Sequence, residues 1–273
     1  MFGEALAVDH NSVEAHIDYG EFLRDLGRLE DSRRILQKAR ALDNTNVVSN
    51  FNLGVLGLKE DRLQDAERYF KEVLEIDPVH AAALYNLGLL YHNTKRYSES
   101  IEYMKVLHSA VPGHIGAIFS LGVVHLDLNI LPEALDYFNQ TLQINSTHED
   151  ALFNIGLTLS SMRRYPAALD AAKVLLEHYP EHFKGALLMG DVNMHTGQYE
   201  EALKSYNAGL DIRPQATIAL HNKAIALAHL ERNVEAHALM KEVLALEPTY
   251  PNAQKNMKAL KLKVENDRQK ATV

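Results

Sequence analysis

Apolar residues run along this chain in short bursts with helical spacing. Leu84, Leu87 and Tyr91 share one face of a 3.6-residue period, as do Ala66, Phe70 and Leu74, and then Ala134, Phe138 and Leu142. The pattern predicts pairs of amphipathic helices joined by short turns. These pairs keep a fixed beat. Gly20, Gly54, Gly88, Gly122, Gly156 and Gly190 stand 34 residues apart, with Ala224 at the next interval. Pro78, Pro112, Pro180, Pro214 and Pro248 keep the same time, with Ser146 in the gap. So do the small residues Ser32, Ala66, Ser100, Ala134, Ala168, Ala202 and Ala236. Three series on one period predict an all-α solenoid, whose core is a continuous stripe rather than a globule.

With the glycine numbered position 8, seven repeats span 13–46, 47–80, 81–114, 115–148, 149–182, 183–216 and 217–250. A glycine inside a helix costs about 1 kcal/mol against alanine. Its regular return therefore predicts close packing: with the small residue at position 20, it lets the first helix of a repeat (A) approach the second (B). Proline at position 32 stops helix B, because it lacks an N–H and disfavours helix in the residue before it. Pro132 and Pro166 fall at position 18, near the start of helix B, where proline is tolerated. Phe2, Ala5 and Leu6 take positions 24, 27 and 28 of a repeat that lacks its first half, so residues 1–12 are expected to be the remnant of a truncated repeat cut from a longer array. Pro251 is expected to open a capping helix over 251–265, with Met257, Leu260 and Val264 inward, ahead of a polar tail at 266–273.

The spacing of Leu87-Gly88, Tyr91, Ser100, Met104 and Pro112 resembles the tetratricopeptide repeat, and the resemblance covers residues 13–250; the family's tryptophan at position 4 is absent. It implies a right-handed superhelix of helix–turn–helix repeats whose A helices line a concave groove with positions 2, 5, 6, 9, 12 and 13. Position 5 then carries Ile17, Phe51, Tyr85, Phe119, Phe153, Leu187 and His221, and position 6 carries Asp18, Asn52, Asn86, Ser120, Asn154, Leu188 and Asn222. An asparagine amide offers the donor and acceptor that match a peptide main chain, and aromatic rings add apolar contact area. On this reading Phe51, Asn52, Tyr85, Asn86, Phe119, Ser120, Phe153, Asn154, His221 and Asn222 bind an extended protein segment or a loop of a folded partner, with the main site over 51–154. The other reading stays open: asparagine at 6 belongs to the repeat's own grammar, and the aromatics pack on the neighbouring helix. A carboxylate clamp is set aside. It needs lysine or arginine at positions 2, 5 and 6, and only Lys184 fits.

Composition narrows the classes. Net charge is −8, from 28 basic and 36 acidic residues, which argues against a nucleic-acid partner. The absence of cysteine excludes a disulfide framework and a thiolate nucleophile, and suits an oxidising lumen. No run of 18 apolar residues occurs, so no membrane contact is expected of this stretch. Among fourteen histidines, His195 and His229 with Asp191 are the nearest to a zinc set. Successive repeats are offset by about 10 Å, one helix diameter, so these three are expected to be polar groove residues. No cofactor, metal or catalytic set is expected.

Two N-glycosylation sequons occur, Asn139-Gln-Thr141 and Asn145-Ser-Thr147, of which Asn145 at the exposed end of a B helix is the better acceptor. Residues 151–195, above all His178-Tyr-Pro-Glu-His-Phe-Lys-Gly185, resemble the C-terminal repeat region of the transmembrane-and-tetratricopeptide-repeat O-mannosyltransferases of the endoplasmic reticulum. That resemblance implies a non-catalytic lumenal arm of a membrane-embedded enzyme that acts on cadherin-type domains. The alternative is a cytoplasmic scaffold with no enzymatic attachment. A weaker one is the repeat arm of an O-GlcNAc-type transferase.

Overall fold

In a computed structural model the described residues are 10–270. They form fifteen helices with no strand, an all-α solenoid. The half-repeat expected over residues 1–12 lies mainly outside the described residues. The chain divides into two compact units, Met1–Asn129 and Ile130–Val273.

The first unit contains α1 (Val13–Asp25), α2 (Leu29–Leu42), α3 (Val47–Lys59), α4 (Leu63–Ile76), α5 (Ala81–Asn93), α6 (Tyr97–Ala110) and α7 (Ile115–Asp127). Odd-numbered helices are A helices here, and each packs on the B helix that precedes or follows it. The glycine beat has a direct cause. A Cβ added to Gly20 would stand 2.6 Å from Leu36 Cγ, one on Gly54 2.6 Å from Phe70 Cε1, and one on Gly88 2.5 Å from Met104 Cε. All three partners occupy position 24 and are fully buried. The glycine is thus a slot for a large side chain from helix B. The small residue at 20 lies beside the same spot: Ser32 Oγ donates to the Gly20 carbonyl at 2.6 Å, and Ser100 Oγ to that of Gly88 at 2.8 Å.

Neighbouring repeats of this unit are also tied by charge. Arg40 of α2 reaches Glu72 of α4 at 2.9 Å. Glu67 accepts from Lys71 at 2.8 Å, the Tyr91 hydroxyl at 2.8 Å and Arg96 at 2.9 Å. Burial alone would raise the Glu67 carboxyl, but these donors hold it below its ordinary value. Burial and the nearby carboxylate push the Tyr91 phenol up to about 12.

The second unit contains α8 (Leu131–Ile144), α9 (Glu149–Ser161), α10 (Tyr165–His178), α11 (Phe183–His195), α12 (Tyr199–Ile212), α13 (Thr217–His229), α14 (Asn233–Leu246) and α15 (Ala253–Lys270). Gly190 repeats the slot: its added Cβ would enter the ring of Tyr206, again position 24. At Gly156 the partner changes. Position 24 is now the small Ala172, and Leu188 of the next A helix fills the space, with its Cδ2 2.8 Å from an added Cβ. Leu188 is accordingly buried core, not groove lining.

The turns and the C-terminal helix supply detail that periodicity does not mark. Position 15 is left-handed in every repeat, at Gly27, Asp61, Lys95, Asn129, Arg163, Gly197 and Glu231, yet only two of these are glycine. B helices end just ahead of position 32, with Asp77, Val111 and Tyr179 out of helical conformation before their prolines and Asp77 extended. The capping helix starts at Ala253, after a turn at Pro251-Asn252, and buries Leu260 and Val264. It continues to Lys270, so residues 266–270 of the expected polar tail are helical. Asp267 in that stretch accepts from Asn233 Nδ2 at 2.8 Å, a contact with α14 that apolar periodicity does not reveal.

The slot contacts rank substitutions. Gly190→Ala drives a Cβ into a rigid ring whose hydroxyl is tethered, whereas Gly88→Ala meets the flexible end of Met104. Overpacking costs about 1–3 kcal/mol, so chemical denaturation is expected to show Gly190→Ala near the top of that range and Gly88→Ala near or below its foot. Gly88→Leu, too large for any rotamer of Met104 to accommodate, is expected to rejoin the upper end.

Candidate protein-binding groove

The position-5 rings are held from two sides. Phe51 lies 5.7 Å from the ring of Phe70 in its own repeat and 5.3 Å from His80 of the next junction. Tyr85 lies 5.2 Å from His114, and Phe153 lies 5.3 Å from His182. Tyr85 also lies over Gly116, where an added Cβ would come within 3.0 Å of the phenol oxygen. Each ring therefore has one face on the start of the following A helix and stays half-buried, as does Phe119. The neighbour-packing reading of these aromatics holds in three repeats, where Phe51, Tyr85 and Phe153 each meet the histidine of the next junction and remain half-buried.

The histidines that meet these rings form a series the glycine and proline beats overshadow. His80, His114, His148 and His182 stand 34 residues apart at position 34, and each caps the next A helix. The backbone N–H of Ala83 donates to His80 Nδ1 at 3.2 Å, that of Ala117 to His114 at 3.1 Å, that of Ala151 to His148 at 3.3 Å and that of Gly185 to His182 at 2.8 Å. Ser12 and Asn46 do the same work ahead of α1 and α3. Pairing is visible within the chain: an aromatic at 5 accompanies histidine at 34, whereas Leu187 accompanies Ala216. Repeat seven inverts it, with His221 at 5 lying 5.0 Å from Tyr250 at 34.

The amide row divides. Asn52 is buried, and its amide is used inside the protein: Oδ1 accepts from Arg24 at 2.7 Å, while Nδ2 donates to Glu21 at 2.6 Å and the Val48 carbonyl at 3.0 Å. Ser120 is buried too. Asn86 and Asn154 are half-buried, and each donates only to the carbonyl one turn back, at 2.7 Å to Ala82 and 2.8 Å to Asp150. Among the described residues their amide oxygens accept no hydrogen bond. Phe51 stands on α3, Tyr85 and Asn86 on α5 and Phe119 on α7 of the first unit, and Phe153 and Asn154 on α9 of the second.

The second unit holds a polar network that periodicity does not announce. Asn256 Nδ2 of α15 donates to His221 Nε2 at 3.2 Å, and His221 Nδ1 donates to Asn222 Oδ1 at 3.2 Å. Asn222 Nδ2 donates in turn to Asp191 Oδ1 at 3.0 Å, which also receives the Tyr206 hydroxyl at 2.7 Å. Burial raises the Asp191 carboxyl above its ordinary value, against the pull of these two donors and His195. Burial and the neighbouring carboxylate push the Tyr206 phenol far up, so it remains a donor. His195 donates from Nδ1 to the Asp191 carbonyl at 2.8 Å, and His229 stacks on Tyr199 with centroids 4.5 Å apart. Among the described residues no group of three potential ligands is arranged to hold a metal ion.

At the sequons, Asn145 is the exposed C-cap of α8, with its side chain accepting from Thr147 N and Oγ1 at 3.2 Å each. Asn139 is exposed on the same helix, but its partner Thr141 is fully buried and donates to the Tyr137 carbonyl at 3.0 Å.

Residues 51–115 and 153–217 match the family model described as Tetratricopeptide repeat. Protein O-mannosyl-transferase Tmtc3 of Drosophila melanogaster is 33% identical over 75 residues, 27% of this chain and 8% of that protein's length. Similar solved structures include the C-terminal part of a repeat-containing protein from Cytophaga hutchinsonii, at 15% identity and TM-score 0.74 over 88% of this chain and 98% of that one. A tetratricopeptide repeat protein from Parabacteroides merdae gives 16% and 0.67 over 91% and 98%. YrrB, described as having an unusual peptide-binding site, gives 18% and 0.58 over 69% and 97%. At these identities the likeness is one of fold.

Two outcomes follow from the site geometry. Expressed in a secretory compartment, the chain is expected to carry glycan at Asn145 and little at Asn139, because an acceptor needs its threonine within reach; glycopeptide mass spectrometry reads both, and a glycan at Asn139 alone would overturn the assignment. The raised Asp191 carboxyl favours its protonated form in the fold. Its stabilising contribution is therefore complete below the ordinary aspartate value, about 3.9, and is lost as pH rises through the raised folded value. Asp191→Asn, compared with the parent chain by denaturation at several pH values, is expected to gain relative stability across that rise and to be at least as stable at neutral pH.

Proposed function

We propose, for a chain that is an array of tetratricopeptide repeats, that it binds an extended protein segment along the exposed faces of its A helices. Protein–protein interaction is the business of this repeat fold; the location and manner are our reading. The observation that carries it is the pairing of a half-buried ring with an amide whose oxygen is unused, Tyr85 with Asn86 and Phe153 with Asn154. The amides supply main-chain hydrogen bonds of low sequence preference, and the rings supply apolar grip on the segment's side chains. Asn52 supports the A-helix layer instead, through Arg24 and Glu21.

We read the larger context as a lumenal recruiting arm for a protein O-mannosyltransferase, with cadherin-type domains as the recruited substrate. The likeness to Tmtc3, the residues 178–185 and the open sequon at Asn145 support this reading. The chain spans 8% of that relative's length, and no step of glycosyl transfer is assigned to its residues. Among the described residues no helix is long and apolar enough to cross a membrane.

The test is the two single changes Asn86→Ala and Asn154→Ala, one in each unit, each assayed by calorimetry against unfolded peptides and cadherin-type domains. A net hydrogen bond contributes about 0.5–1.5 kcal/mol, so each change is expected to weaken binding about twofold to tenfold with helicity intact. Asn52→Ala is expected to lower the unfolding midpoint first. Folded variants that both bind like the parent chain would move recognition away from these faces.

A further inference from the structure

Asp191 is a charge the fold does not need. It stands at groove position 9 of α11, held on Oδ1 by two neutral donors, Tyr206 and Asn222. Its second oxygen, Oδ2, accepts no hydrogen bond, and no lysine or arginine pairs with it among the described residues. Three partly buried carboxylates of the first unit do meet cations: Glu60 and Glu72 an arginine, and Glu67 an arginine and a lysine. Two donors nevertheless face the Asp191 Oδ1 directly. Asn222 and Tyr206 donate to it, and Asn256 and His221 form a relay behind Asn222, Asn256 donating to His221 and His221 to Asn222 Oδ1. Position 24 is Leu, Phe, Met, Phe, Ala, Tyr and Met through the seven repeats, so Tyr206 alone brings a polar tip there. Gly190 clears the path for that ring.

We propose that Asp191 anchors a lysine ammonium of the bound segment, taken end-on at Oδ2. This rests on the groove reading above and names what the second unit selects. The ion's shape follows from the geometry. Both donors already occupy Oδ1, so the carboxylate cannot offer the two parallel acceptors that a guanidinium fork uses, while a single ammonium N–H needs only one. The net charge of −8 draws a basic partner at long range. Burial of the unpaired carboxylate strengthens its attraction for an incoming cation. The raised folded value of Asp191 is the cost the free protein bears for holding the site ready.

The test uses the full chain and five probes. Four are one alternating twelve-residue peptide with lysine, arginine, acetyl-lysine or norleucine at its centre; the fifth is n-butylammonium alone. Calorimetry is expected to rank lysine at least tenfold above acetyl-lysine and norleucine, with arginine between, and Asp191→Asn is expected to erase the ranking. Nuclear magnetic resonance titration of the Asp191 carboxyl is expected to move to lower pH with n-butylammonium. Equal binding of all four peptides overturns the lysine site while leaving the groove reading in place. No peptide binding, together with a carboxyl that still responds to n-butylammonium, removes the groove reading and keeps the cation site. No response to any probe overturns both. The parent-chain comparison of lysine with acetyl-lysine stands even if Asp191→Asn fails to fold.

Discussion

The contact between the position-8 glycine and the position-24 side chain is the constraint on which the rest depends. Leu36, Phe70, Met104 and Tyr206 each occupy the space a Cβ would claim on the facing A helix. Because the large residue comes from helix B, helix A is thin where the two cross, and its opposite face is free to carry chemistry. Glycine's helical penalty of about 1 kcal/mol is offset by burying a whole side chain, worth about 1.5–3 kcal/mol. Repeat five shows the rule by its exception. Ala172 leaves the slot empty, and Leu188 drops in from the neighbouring repeat. The core is satisfied, but a position that would otherwise face the groove is consumed.

The junction between repeats is organised by the pairing of a ring at position 5 with a cap at position 34. Histidine suits the second place because its ring offers Nδ1 to the first turn of a helix and a flat face to the aromatic before it. One side chain thus ends a turn, starts a helix and supports the ring of the preceding A helix. The amides beside those rings do not share one role. In the first unit Asn52 is enclosed by Arg24 and Glu21, whereas Asn86, one repeat on, has its oxygen open. The chain keeps the same residue type at both positions while its surroundings give it opposite duties.

In the second unit the slot itself becomes part of a site. Tyr206 enters over Gly190 as its counterparts do elsewhere, but its hydroxyl continues to Asp191. The packing rule delivers a donor to a groove position, and Asn222, His221 and Asn256 complete the orientation from α13 and α15. A carboxylate enclosed by oriented dipoles and paired with no lysine or arginine keeps its affinity for a cation, because the low polarity around it weakens screening. That arrangement destabilises the free fold slightly and favours a charged partner.

The sequence by itself determined the array. Repeat length, close A–B packing at the glycine and the proline stops follow from periodicity, because every repeat must bury its stripe on the next and so must repeat the same small and large positions; that the glycine receives the position-24 side chain was decided by the packing. The series His80, His114, His148 and His182 was equally legible as spacing, although its role as a cap was not. Tertiary structure decided what periodicity averages away. Whether an asparagine at position 6 is spent or open depends on which side chains the preceding repeat sends across, Arg24 and Glu21 at Asn52 and none at Asn86. Whether Leu188 lines a groove or fills a core depends on the size of Ala172, sixteen residues earlier on another helix. The helical run to Lys270 has no apolar pattern to announce it and gains a contact of Asp267 with Asn233. The Asp191 network joins four helices, α11, α12, α13 and α15, none of which marks the site alone. Periodicity records what each repeat shares, and only the packed neighbours reveal what the side chains that depart from it meet.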